Sequence, residues 1–127
     1  IHDYARFSQL LLDGGVGPGG VRVLSRRSVD EMTRNHLPGD LSGMGQSVYN
    51  ETTTAGVGFG YGGSVVIDPG LTSWASAAGE YAWGGYASTA FWIDPMRDLV
   101  VVFLTQVTPS RYHPIRAELR RIIADHF

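Results

Sequence analysis

The chain contains no cysteine, so disulfide bonds, thiolate metal sites and a cysteine nucleophile are all excluded, and its redox compartment is left open. Net charge is also scarce. The balance is −2 with a pI near 6.0, and the ten basic residues, all arginine, are scattered apart from Arg26-Arg27 and Arg120-Arg121. No basic stripe therefore marks a nucleic-acid partner, and each arginine pair reads as a solvated helix face. Long apolar runs are missing. Leu99–Leu104 falls far short of the roughly 20 residues that cross a bilayer, so no membrane partner is expected. The histidines His2, His36, His113 and His126 are dispersed, with no H-E-x-x-H and no carboxylate at ligand spacing, so no metal site is expected either.

Glycine, by contrast, is plentiful. Ten of its seventeen copies gather in two tracts, Gly14–Gly20 and Gly56–Gly63, without a collagen-like period, so they punctuate an ordinary fold. A chain of 127 residues with 43% hydrophobic content is enough for one domain with a real core. Within the second tract, Gly58-Phe59-Gly60-Tyr61-Gly62-Gly63 matches G-x-G-x-x-G, but a dinucleotide site needs a helix opening at the third glycine. Ser64-Val65-Val66-Ile67 follows instead and reads as a strand, so no nucleotide or other cofactor is expected. No G-x-S-x-G occurs.

Apolar residues at three- and four-residue steps predict a helix over Asp3–Asp13, with Gly14-Gly15 where a C-terminal cap belongs. Ser25 or Ser28 can cap a second helix reaching about Asn35, and Ser28 to Glu31 has capping-box spacing. Leu37–Ala55 lacks periodicity and reads as a long surface loop. The period then changes to strand at Val57–Tyr61 and Ser64–Ile67, stopped by Asp68-Pro69-Gly70. Three further antiparallel strands are expected at Glu80–Gly84, Thr89–Ile93 and Leu99–Val107. Asp68, Asp94 and Asp98 fall at turns, where aspartate serves nearby backbone. Pro109–Phe127 closes the chain as a helix with Ile115, Leu119, Ile122 and Ile123 on its buried side. The fold class is α+β, an antiparallel sheet flanked by helices. The strand Leu99–Val107 is apolar at successive positions, as a strand covered on both faces would be. Only Thr89–Ile93 is an obvious neighbour, so its outer edge calls for a partner.

The stretch Glu80–Pro95, EYAWGGYASTAFWIDP, sets two glycines directly after a tryptophan in otherwise sheet-like sequence, a mark of a bend or of close approach to the backbone. The order DYARFSQLLLDGG, RVLS, a helix ending near NHL, then GVGFGYG, GEYAWGG, STAFWIDP, DLVVVFLTQ and an amphipathic helix resembles the C-terminal third of the serine β-lactamase and penicillin-binding hydrolase superfamily. Within that superfamily the resemblance is to the class C-like esterases and peptidases. The resemblance covers essentially the whole chain and implies a partial β-lactamase/transpeptidase-like fold lacking its N-terminal part. IHDYARF, without an initiator methionine and already helical in period, agrees with a chain cut from something longer.

By that resemblance Trp83, Gly84 and Gly85 take the places of the family's Lys-Thr-Gly strand, against which a substrate acyl group lies. Tyr86 then offers its backbone N–H as one of two oxyanion donors. A tryptophan where the family has a cation argues for an uncharged small ester or amide rather than a penicillin carboxylate. The family's nucleophile sits in Ser-x-x-Lys, and the chain has no lysine, so no nucleophile is present in it. Tyr86-Ala87-Ser88 matches the family's Tyr-x-Ser by chance. The expected partner is the missing N-terminal segment of the same protein, and the chain alone is expected to be inactive. The alternative is a non-catalytic binding or assembly module that pairs with a second copy through the Leu99–Val107 edge.

Overall fold

The computed structural model describes residues 1–49 and 52–127, with backbone alone for Tyr49 and Arg111. Among the described residues, three α-helices, α1 (His2–Leu12), α2 (Arg26–Thr33) and α3 (Ile115–His126), accompany seven strands. These are β1 (Val48–Tyr49), β2 (Thr52–Thr53), β3 (Val57–Phe59), β4 (Ser64–Val66), β5 (Tyr81–Gly84), β6 (Ala90–Asp94) and β7 (Leu99–Phe103). Strands β3 to β7 form one antiparallel sheet in chain order, and β1 pairs with β2 separately. This is the expected α+β arrangement, with short connections making each strand the neighbour of the next.

Helix α1 ends as its glycines dictate. The Gly15 and Gly14 N–H groups donate to the carbonyls of Leu10 and Leu11 at 2.8 and 3.1 Å, and Gly14 adopts a left-handed φ of 61°, which closes the helix in a Schellman motif. Helix α2 starts at Ser25, whose Oγ accepts from the Ser28 N–H at 3.0 Å. The Ser28–Glu31 capping box is not formed, because Ser28 already lies inside the helix and its hydroxyl pairs with that of Ser25. Helix α1 packs on β6 and β7, and with α2 it encloses Leu11, Val29, Val65, Tyr81, Phe91 and Ile93. These six residues are the core of one face of the sheet.

Four expectations need adjustment. The loop Leu37–Ala55 contains the β1–β2 pair, whose two-residue strands are too short to show a period. The last strand stops at Phe103 rather than Val107, since Val107 turns to bond the β5–β6 connection instead of extending the sheet. It is also an edge strand with all five residues only half-buried, so its continuous apolar pattern is not matched by full cover on both faces. The closing helix begins at Ile115, after a short 3-10 turn at Ser110–Tyr112. Two of the three turn aspartates serve nearby backbone as expected: Asp68 accepts from the Gly70 N–H at 2.9 Å, and Asp94 from those of Met96 and Arg97 at 2.9 and 3.1 Å. Gly58–Gly63 forms the β3–β4 hairpin, and a Cβ on Gly60 would meet the Met32 carbonyl oxygen at 2.2 Å.

Candidate functional site

Strands β5 and β6 place Trp83 opposite Phe91 and Gly84 opposite Ala90. Gly85 then closes the hairpin, its N–H donating to the Thr89 carbonyl at 3.0 Å, while the Ser88 N–H donates to the Gly85 carbonyl at 3.1 Å. Tyr86 is thereby the second residue of a tight turn and is 83% exposed; its N–H has no backbone acceptor among the described residues. Ser88 holds a left-handed φ of 64°, uncommon outside glycine, and is tied down by its hydroxyl, which donates to the Val107 carbonyl at 2.7 Å.

The Trp83–Gly84 segment separates two clefts. One, of about 310 Å³, lies on the α3 side between Trp74, Ala82, Ala90, Arg116 and Arg120. The other, of about 240 Å³, lies toward α1, where Tyr4, Phe91, Val102 and Leu104 wall it and Gly84 and Gly85 border it. The Trp83 ring meets Phe59 edge-on at 5.1 Å and remains partly exposed. Of the four residues singled out in the sequence, Trp83 and Gly84 border both clefts, Gly85 borders the one toward α1, and Tyr86 follows in the turn outside both.

The glycines also have a reason internal to the chain. A Cβ on Gly84 would stand 2.8 Å from the Thr89 carbonyl oxygen and 3.2 Å from Arg116 Nη2, and one on Gly85 would stand 2.5 Å from Thr89 Oγ1. The room left by the missing side chains is taken up by Thr89 and by an arginine of α3.

Arg116 and Arg120 are the residues the sequence reading missed. Arg116 Nη2 donates to the Gly85 carbonyl at 2.6 Å and to the Thr89 carbonyl at 3.0 Å. Arg120 reaches Glu80 Oε1 at 2.6 Å, with side-chain exposures of 12% and 2%, and its guanidinium lies 4.4 Å over Trp92 and 5.0 Å over Trp74. The expectation that Arg120 and Arg121 share a solvated face holds only for Arg121. Burial pushes the Glu80 carboxyl above the ordinary glutamate range, with the nearby Arg120 charge pulling the other way. Among the described residues no group of three acidic or imidazole side chains is arranged to hold a metal ion. No helix among them is long and apolar enough to cross a membrane.

A family model described as Beta-lactamase matches residues 1–125. The chain belongs to the β-lactamase family. Protein Rv1367c of Mycobacterium tuberculosis H37Rv is 34% identical over 111 residues, covering 85% of this chain and 27% of its own length. The uncharacterized protein MT1414 of M. tuberculosis CDC 1551 matches with the same figures. The solved structure of EstCE1, titled a hydrolase with promiscuous acyltransferase activity, superposes with a TM-score of 0.74 at 22% identity, over 96% of this chain and 29% of EstCE1. The β-lactamase-family chain therefore spans between a quarter and a third of the length of these relatives, and its fold corresponds to part of that of EstCE1. With no lysine among its 127 residues, it cannot itself contain the family's Ser-x-x-Lys pair.

Proposed function

We propose that this chain is the substrate-side portion of a β-lactamase-like serine hydrolase that cleaves esters or amides through an acyl-enzyme. Trp83, Gly84 and Gly85 line the acyl group, and Tyr86 contributes one oxyanion N–H. The observation that carries the reading is the ridge itself: Trp83 and Gly84 between two clefts, leading through Gly85 into a turn where the Tyr86 N–H has no backbone acceptor among the described residues. The serine and its base lie outside the chain. Attack of the serine Oγ on the substrate carbonyl yields a tetrahedral oxyanion, which N–H donors stabilise. Collapse expels the alcohol or amine, and water then releases the acid and regenerates the serine. The walls of Tyr4, Phe91, Val102 and Leu104 favour an apolar, uncharged acyl group over one bearing a carboxylate.

The test is complementation. The isolated chain should not turn over p-nitrophenyl esters or nitrocefin, whereas mixing it with an upstream segment carrying Ser-x-x-Lys should give ester turnover. In that mixture Gly85→Trp should abolish activity. Tyr86→Pro, which removes the N–H at a turn position proline favours, should lower kcat about 10²-fold. Saturable turnover by the repurified chain alone would overturn the reading.

A second reading rests on β7, which among the described residues pairs only with β6 and leaves Leu104 exposed beside it. As an assembly module the chain would add a second copy along that edge. Sedimentation decides: a stable dimer favours assembly, and a monomer at high concentration removes it.

A further inference from the structure

We infer that Arg116 is a positioning residue for the oxyanion donor, clamping the Gly85–Tyr86 peptide from the opposite side of the sheet. This rests on the assignment of the Tyr86 N–H made above. The carbonyl and the N–H of that assignment belong to one planar trans peptide, so fixing the Gly85 oxygen fixes the direction of the Tyr86 hydrogen.

The Gly85 oxygen is held by two donors, Arg116 Nη2 at 2.6 Å and the Ser88 N–H at 3.1 Å. The Thr89 oxygen, across the neck of the hairpin, receives three: the Gly85 N–H at 3.0 Å, Arg116 Nη2 at 3.0 Å and Arg116 Nε at 3.2 Å. One guanidinium thus bridges both carbonyls at the base of the turn. The guanidinium does this with donors fixed in one plane, Nη2 to both oxygens and Nε to that of Thr89, whereas the ammonium of a lysine rotates freely and fixes neither direction as firmly.

Two consequences follow. The Tyr86 N–H, antiparallel to its own peptide's carbonyl, is turned away from α3 and from the interior of the turn, so it is presented outward rather than spent on the hairpin. A cation on the carbonyl oxygen also draws electron density along the peptide and strengthens the N–H as a donor, the cooperative effect of linked hydrogen bonds. Both act on the group that meets developing negative charge, where pre-set donors count most. Gly84 belongs to the same device. Any side chain there would strike the Thr89 oxygen and crowd the guanidinium, whose carbon lies 3.3 Å from the position of a Cβ. The first glycine after Trp83 therefore serves an arginine 32 positions further along the chain.

The measurement is the ¹⁵N–¹H resonance of Tyr86 in the chain, assigned by its loss in Tyr86→Pro and its retention in Tyr86→Phe. Arg116→Gln should move the Tyr86 proton upfield and speed its exchange with solvent, and Arg116→Lys should do so in part. Gly84→Ala provides an independent route to the same displacement, and remains informative if Arg116→Gln does not fold. In the complemented enzyme, Arg116→Lys should lower kcat about tenfold with KM little changed, the signature of a contact felt in the transition state. A folded Arg116 variant with lower stability but an unmoved Tyr86 resonance and normal kcat would reduce Arg116 to a structural staple and overturn the inference. Failure of the oxyanion assignment looks different: Tyr86→Pro would then leave kcat intact even though the Tyr86 resonance responds to Arg116.

Discussion

The two faces of the five-stranded sheet are held by different physics. On one, α1 and α2 cover the sheet with Leu11, Val29, Val65, Tyr81, Phe91 and Ile93, a cluster in which burial of apolar surface is shared among many contacts. On the other, the contacts that tie α3 to the sheet are directional: Arg116 on two carbonyls, and Arg120 on Glu80 and between two tryptophans. Apolar packing tolerates small displacements, whereas charge-assisted hydrogen bonds depend steeply on geometry. The face that sets the orientation of the Gly85–Tyr86 peptide is the directional one.

The contrast can be broken most forcefully in the core. Phe91→Ala, which opens a cavity under Tyr4 and Tyr81, should cost about 3–5 kcal/mol in denaturant unfolding, at any pH where the chain is folded. Arg120→Met should cost about 3 kcal/mol near neutral pH, because it strands a buried carboxylate. Unlike the first loss, this one should shrink in acid. Protonating Glu80 removes the uncompensated charge, and a companion Glu80→Leu should recover much of the stability. The sign in the unmutated chain agrees. The Glu80 carboxyl is raised in the fold above its reference of 4.5, so the folded state binds the proton more tightly. Its contribution is fully present below that reference and declines as pH rises through the raised value. A pH series of unfolding midpoints for the chain and Glu80→Gln checks this, since the Gln variant should lack that decline.

Gly84→Ala probes where the two faces meet at the ridge. With a backbone oxygen 2.8 Å from the new methyl, about 1–3 kcal/mol of strain is expected, with α3 loosened. Gly39→Ala is the control: nothing lies within 4 Å of its Cβ and its φ is not left-handed, so it should be neutral or slightly stabilising. Equal losses at the two positions would show that the cost at Gly84 reflects general chain stiffness and not crowding by the Thr89 carbonyl and Arg116.

The apolar face was largely legible in the sequence because its determinants are local and periodic. The helix expected at Asp3–Asp13 is α1 at His2–Leu12, its Gly14-Gly15 cap forms, and each expected strand of the main sheet is present. The α3 face was not. Periodicity counts an arginine as outward-facing, yet a guanidinium over an indole with a buried carboxylate beneath it is an interior group. Glu80 read as the polar start of a strand, and Trp74 lay in a loop of small residues. Neither carried a sign pointing to Arg120, 40 positions further on in the case of Glu80. Trp-Gly-Gly stood out through family resemblance, but of the two groups that crowd Gly84, the Thr89 carbonyl and Arg116, the arginine is non-local and had no signal in that segment.

The smallest expected effect sharpens the comparison furthest. The helical period assigns Ile122 to the buried stripe of α3 along with Ile115, Leu119 and Ile123, but Ile122 is 48% exposed in the fold. If α3 is anchored by its arginines, Ile122→Gln should change stability by no more than about 0.5 kcal/mol, as at any exposed position without a specific role. The midpoint and slope of a urea transition measure this directly. A loss of about 2 kcal/mol would mean that the isoleucine stripe, and not the arginine pair, holds the helix. The guanidinium of Arg116 would then follow the position of α3 instead of determining it, and the directional character of that face would be lost.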